Sequence, residues 1–273
     1  MILVVASKKD PASVNIKNQV LKHYRFKATT EFEEEPIYEA EISSRQVKLV
    51  TLNGESIHAQ NLTHQFADVE LVVFISRHSS VSGKPTLSVH TPGNLGEAEY
   101  GGTTREVSVS PANAMREALK TMMKLKQERQ LDYEVSYEGT HHGPSLNVPT
   151  MFVELGSSPE QWEDADAADV VAHAAMEAIS TFDSFPAKAT LGIGGPHYNA
   201  KFTRLALEND VAFGHMIPKY AVSQTDEAML RQCIEKTFEK VKSIVLDWKG
   251  IKGEDKQKLM ENLEKIDLQT EKV

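Results

Sequence analysis

The stretch Asp68-Val-Glu-Leu-Val-Val-Phe-Ile-Ser76 narrows the fold more than any other part of the chain. Its nearly unbroken apolar run is the pattern of a strand covered on both faces, and it is too short to cross a bilayer. Such a strand belongs in the middle of a sheet flanked by helices. The rest of the chain supplies neighbours of both kinds. Residues 1–6 read as a short buried strand, after which Asp10 and Pro11 form an N-cap and first-turn proline for a helix carrying Ala12, Ile16 and Val20. Residues 37–42 and 46–52 read as a hairpin, and 85–89, 133–137, 149–155, 187–193 and 211–215 as further strands. Helical spacing predicts helices from Ser110-Pro111 to about residue 130, from Ser158-Pro159 through residues 165–182, after residue 199, and over 225–241. Residues 249–273, with Leu259, Leu263 and Ile266 in register, read as a peripheral amphipathic helix. The expectation is an α/β fold: a single compact domain over residues 1–273 with a mixed, mostly parallel central sheet and helices on both faces.

Charge and cysteine content limit the chemistry. The only cysteine, Cys233, sits beside a helical apolar stripe of Leu230, Ile234, Phe238 and Val241, which makes it a buried thiol and not a nucleophile. No disulfide, CxxC pair, signal peptide or membrane-length segment is visible, so a cytoplasmic protein with no membrane partner is expected. A net charge of -9 argues against DNA and against indiscriminate nucleic-acid binding, because cationic side chains supply most non-specific affinity. One local exception is the stripe Arg116, Lys120 and Lys124 on the helix after Pro111. It offers a face for a phosphate backbone, although a solvated helix face is the more ordinary explanation.

Candidate chemistry gathers where strands end. His78, His90, His141, His142, His197 and His215 all fall at or just past a predicted strand, which leaves four of the ten histidines elsewhere. Loops at strand ends converge while the sheet stays rigid, so these rings can share one pocket. The densest stretch is Glu138-Gly-Thr-His-His-Gly-Pro-Ser145, where a glycine-proline turn can bring two adjacent imidazoles to one side. Ser76, Arg77, His78 and Lys84 bracket a hydroxyl-rich loop of anion-binding composition. Thr91, Gly93 and Asn94 follow His90 in a second such loop. Gly194 and Gly195 precede a helix that begins near Tyr198, Asn199 and Lys201, so backbone N–H groups there can meet a phosphate or an oxyanion. Lys201 opposes the helix dipole, which calls for an anion nearby. No GxSxG elbow, P-loop or HExxH occurs. A histidine acting as general base on water and a His/Glu-held zinc ion both remain open.

Three segments, His90-Thr-Pro-Gly-Asn94, Glu138-Gly-Thr-His-His-Gly-Pro144 and Gly192-Ile-Gly-Gly-Pro-His-Tyr-Asn-Ala-Lys-Phe-Thr203, together resemble the archaeal and plant type of D-aminoacyl-tRNA deacylase, along nearly the whole chain. The resemblance implies hydrolysis of the ester between a D-amino acid and the terminal ribose of tRNA, a zinc requirement, and a core similar to the peptidyl-tRNA hydrolase and nucleoside phosphorylase folds. It points to Glu138, His141, His142, His197 and His90 as catalytic residues, with Glu138, His141 and His142 as candidate metal ligands. Arg77, Lys84 and Lys201 would hold terminal phosphates, Ser76, His78, Thr91, Gly93, Asn94, Gly194, Gly195, Tyr198 and Asn199 would line the substrate site, and Arg116, Lys120 and Lys124 would meet the acceptor stem. A monomer acting on D-aminoacyl-tRNA is expected. The chain does not resemble the bacterial and eukaryotic deacylase fold, so Gly143-Pro144 and Gly195-Pro196 do not inherit that type's chirality role. Rival readings are a zinc peptidase or carboxypeptidase-like amide hydrolase, a nucleoside phosphorylase-like enzyme, and a non-catalytic RNA-binding module.

Overall fold

Two sheets, joined through a shared core, are built from the nine predicted strands and three more, over residues 27–32, 243–247 and 269–272. A computed structural model describes residues 1–273, in the order β1 (Ile2–Ser7), α1 (Pro11–His23), β2 (Lys27–Phe32), β3 (Glu35–Ile42), β4 (Arg45–Leu52), β5 (Leu71–Ser79), β6 (Thr86–His90), α2 (Ala112–Glu128), β7 (Glu134–Tyr137), β8 (Thr150–Ser157), α3 (Pro159–Trp162), α4 (Ala165–Ser180), β9 (Lys188–Gly194), α5 (Ala200–Glu208), β10 (Val211–Ile217), α6 (Glu227–Glu235), β11 (Ser243–Asp247), α7 (Lys256–Leu263) and β12 (Gln269–Lys272). The larger sheet has the order β2-β3-β4-β1-β5-β8-β6-β7 and the smaller one β10-β9-β11-β12. The α/β class and the mostly parallel mixed sheet are as expected. The long apolar run is β5, paired in parallel with β1 on one side and β8 on the other.

Side chains alternate across a strand, so register decides which residues share a face. In the larger sheet Ile2, Val4, Val73, Ile75, Val153, Leu155, Leu87 and Val89 face α1, α2 and α4, forming the main core with Ile16, Met115, Leu119, Val171 and Ile179. The opposite face carries Leu3, Val5, Val72, Phe74 and Phe152, with Phe74 and Phe152 stacked at 4.6 Å between centroids. Each such buried side chain stabilises the fold by about 1.5–3 kcal/mol. That second face of the larger sheet has no long helix; loops cover it, and its polar half is left for the site. In the smaller sheet Leu191, Ile193, Ile244 and Leu246 pack on α6 and α7, while Phe213 and Val245 join the main core from the other side.

Several boundaries depart from the sequence expectation for local reasons. Asp10 caps α1 as expected, accepting the Ser13 N–H at 3.0 Å. Ser110 does not cap α2: the Glu239 carboxylate does, accepting the N–H groups of Ala112 and Asn113 at 3.0 and 2.8 Å. The helix expected over 225–241 stops at Glu235, because the backbone at residues 236–238 instead bonds to Ser110 on both sides. The expected helix over 249–273 is confined to α7. Beyond it the chain returns to the sheet as β12, parallel to β11. Strand β2 carries an exposed, polar sequence with no apolar alternation to announce it.

Candidate active site

Register on the loop-covered face of the larger sheet brings the polar residues together. Ser76 on β5 lies opposite Glu154 on β8, which in turn lies opposite Ser88 on β6, and Phe152 lies opposite His90. His78, two residues beyond Ser76, therefore points to the same side. Loops after β7 and β9 lower Glu138, His141, His142 and His197 onto this surface, through isolated bridges that join Pro92 to His141 and Glu138 to Tyr198. The result is a cavity of about 880 Å³, within the range of small-molecule sites.

His141 and His142 reach one pocket because His142 has φ of 43°, in the left-handed region. That turn cancels the strand alternation, and the two rings sit 4.2 Å apart between centroids. A non-glycine residue held there costs on the order of 1 kcal/mol or more. The following Gly143 allows three backbones to converge, since a Cβ at that position would lie 2.2 Å from the Gly102 nitrogen and 2.6 Å from the Ile57 oxygen.

Two buried carboxylates organise the imidazoles. Glu138 is fully buried; its Oε2 lies 3.0 Å from His197 Nε2 and 3.8 Å from His141 Nε2, and its Oε1 lies 3.2 Å from His78 Nδ1. Glu154 accepts the Ser76 hydroxyl at 2.7 Å and lies 3.6 Å from His78 Nδ1 and 3.8 Å from His90 Nε2. Burial opposes charge on His78, but Glu138 and Glu154 overcome it and raise its pKa to about 10. Burial likewise pushes against ionisation of the two carboxylates, yet His78 and its neighbours hold Glu138 well below the usual range and Glu154 at about 2. The wall is thus an imidazolium between two carboxylates. His78 Nε2 donates to the Tyr198 hydroxyl oxygen at 3.0 Å, so the Tyr198 O–H is free to point elsewhere.

His141 and His142 are held neutral. Burial and the neighbouring imidazoles depress His141 well below its ordinary value, and burial and His90 bring His142 to about 4. Each donates Nδ1–H to a backbone carbonyl, Gly139 at 2.8 Å and Gly143 at 2.7 Å, so each presents a bare Nε2. His90 Nε2 is buried, 3.8 Å from Glu154 Oε2, and has no hydrogen-bond partner. His90, His141 and His142 place donor atoms within 4.8 Å of one another, as do Glu138, His141 and His197. The trio offered by the sequence, Glu138 with His141 and His142, is split between these two groups.

Other expected site residues are placed less uniformly. Ser76, Arg77, His78, Gly93, Asn94 and Tyr198 line the cavity. Thr91 is buried beneath it, its hydroxyl donated to Thr150 O. Gly194 and Gly195 turn away: the Gly195 N–H is donated to Gly250 O, and Gly194 O accepts the Asn199 amide. Asn199 caps α5 by accepting the Phe202 N–H at 2.9 Å, so its side chain is engaged by the helix. The anion that Lys201 calls for is the protein's own Asp247. Lys84 is exposed and pairs with Glu134 at 3.1 Å, outside the cavity. Arg116 is 5% exposed and donates to Ala206 O and Asn209 O at 2.9 Å each; it is a clamp between α2 and the end of α5, not part of an open basic stripe. Lys120 pairs with Glu117 at 3.1 Å, and Lys124 is exposed. His215 does not line the cavity; it is buried behind the lining residue Thr140, between that hydroxyl and the Lys236 carbonyl.

Sequence reasoning missed Glu154, Asp10, Glu55, Tyr100 and Tyr220, all of which line the cavity. The signal for Glu154 was available, since a lone carboxylate in an otherwise apolar buried strand requires a partner.

Residues 65–271 match the family model described as D-aminoacyl-tRNA deacylase. The D-aminoacyl-tRNA deacylase of Thermococcus onnurineus is 39% identical over 94% of each chain. That of Methanococcus maripaludis is 35% identical over 99% of each, and that of Methanosarcina mazei 38% identical over 98% of this chain and 90% of the relative. A crystal structure of a conserved protein of unknown function superposes with a TM-score of 0.89 at 29% identity, covering 100% of this chain and 95% of that one.

Proposed function

This chain belongs to the D-aminoacyl-tRNA deacylase family, and on that premise we propose that it hydrolyses the ester of D-aminoacyl-tRNA with a water activated by the Glu138–His197 pair. The observation that carries the mechanism is the 3.0 Å contact of His197 Nε2 with the buried Glu138 carboxylate. A carboxylate that accepts Nε2–H fixes the tautomer, leaving Nδ1 as the base and stabilising the imidazolium once formed. Nδ1 faces the half-exposed Tyr220 hydroxyl at 3.0 Å, at the cavity wall where a water or the ribose oxygen would replace that hydroxyl. The same nitrogen would return its proton to the leaving ribose oxygen. Tyr198 would donate to the carbonyl oxygen as charge develops, polarised by the His78 imidazolium behind it.

The residues fit a zinc ion. His90, His141 and His142 would hold it, two through Nε2 atoms already bared by backbone hydrogen bonds and the third through a buried nitrogen that lacks a partner. Zinc there would supply Lewis acidity toward water or the ester carbonyl. Imidazoles ligate only when unprotonated, so affinity should fall in acid.

Residues 1–273 would act as one unit, a reading supported by the core cluster that spans both sheets. Deacylation of matched D- and L-aminoacyl-tRNA, with and without chelator and beside a peptide panel, tests the whole reading. Preferential loss of the D-ester is expected. Equal rates on both enantiomers, or faster peptide cleavage, would overturn it.

A further inference from the structure

A further cluster of two imidazoles and a carboxylate, His23, Asp169 and His173, lies on the helical side of the larger sheet, and none of it touches the cavity. His23 is the last residue of α1. Asp169 and His173 are one turn apart on α4, so they share a helix face against it. His23 Nε2 lies 2.6 Å from Asp169 Oδ1, His173 Nε2 lies 3.5 Å from Asp169 Oδ2, and the two imidazole centroids are 5.2 Å apart. One donor atom from each residue falls within 4.8 Å of the other two.

Two features separate this group from an ordinary ion pair. Asp169 is 7% exposed and its Oδ1 has no hydrogen-bond partner, although a ring nitrogen stands 2.6 Å away. The contact lacks hydrogen-bond alignment, so Oδ1 keeps an unused lone pair; an ion bound by both atoms at about 2.0–2.2 Å would part them to roughly 3 Å, a small side-chain shift at the end of α1. His173 is also prepared as a ligand. Its Nδ1 is bonded to the Tyr24 hydroxyl at 2.8 Å, which orients the ring and leaves Nε2 facing Asp169. Arg129 pairs with the other carboxylate oxygen, Oδ2, and so leaves Oδ1 open while reducing the affinity for a cation.

We propose that His23, Asp169 and His173 form a second divalent-metal site, separate from the cavity, which takes a borderline first-row ion such as Zn²⁺, Ni²⁺ or Cu²⁺ and clasps the end of α1 to α4. Two imidazoles and one carboxylate suit these ions and not Mg²⁺ or Ca²⁺, which prefer all-oxygen shells. Open positions remain for water, as no fourth protein donor belongs to the group.

The test is zinc content and affinity, measured by equilibrium dialysis of the full chain against Zn²⁺, for the native protein and for His23→Gln, His173→Gln and the double variant. His23 ends a helix at the surface, so its glutamine variant should fold like the native chain. The double variant should bind one zinc fewer per chain, and each single variant should bind that zinc at least ten-fold more weakly, while deacylation stays unchanged. Added Zn²⁺ should raise the Tm of the native protein more than that of His23→Gln. An unchanged zinc count with an equal Tm rise in the variants would overturn the proposal.

Discussion

His142 holds a left-handed φ of 43° at the point where two imidazoles must face one way, and that local strain is matched by how much the neighbouring side chains depend on it. With His141 and His142 neutral and His197 tied to Glu138, the reactive groups are differentiated by their neighbours, not by residue type. Glu138→Gln should therefore lower kcat by about 10³–10⁴-fold with little change in KM, because the wrong tautomer is then favoured at His197. Single-turnover deacylation would show it, and a fall of less than ten-fold would remove Glu138 from the mechanism. Tyr198→Phe should cost about 10²–10³ in kcat, the usual loss of one oxyanion donor. A residue-scale prediction also concerns stability. Burial pushes His215 down to about 4, whereas an unfolded chain has it near 6.5. The unfolded state binds the proton more tightly, so the His215 contribution is complete above about pH 6.5 and is lost as pH falls toward 4, on the order of 3 kcal/mol. Urea unfolding from pH 4 to 7 should show a shallower acid slope in His215→Asn, together with lower stability at neutral pH.

Among the elements, most that bury continuous apolar runs were legible in the sequence; β11, with only Ile244, Val245 and Leu246 between polar ends, was too short to stand out. Leu71–Ser79, Thr150–Ser157 and Lys188–Gly194 each fall within a few residues of their expected bounds. Strands whose pairing is decided by distant partners were not: polar β2 and the tail strand β12 exist because β3 and β11 offer open edges. The same division runs through the site. Histidines at strand ends were visible as a pattern, but the direction of the Gly194–Gly195 turn depends on Asp247 and Gly250, some fifty residues later. Arg116 is the sharpest case, since periodicity set it in a stripe with Lys120 and Lys124 while the carbonyls ending α5 bury it. Arg116→Ala would strip hydrogen bonds from two carbonyls and should destabilise the protein by about 2–4 kcal/mol in thermal unfolding. KM for tRNA should not change.

At the scale of the whole molecule, net charge and paired cations limit how RNA can be held. With a charge of -9, and with Arg116, Lys84 and Lys201 each already paired within the protein, the contacts that the sequence offered to phosphates are weakened. The logarithm of tRNA affinity should thus fall with the logarithm of salt at a slope shallower than about 3. Filter binding between low and physiological salt measures it, and a steep slope would reveal a basic face elsewhere.

The buried Glu138, His78 and Glu154 also constrain how this lineage can change. Neutralising His78 alone leaves two carboxylates facing each other out of water, and removing either carboxylate weakens the hold on the imidazolium. Intermediates with one substitution are disfavoured, so the three positions should vary in concert. A relative that lacks His78 should also have lost at least one of the two acids, and its cavity wall would then have reached charge balance by a different route.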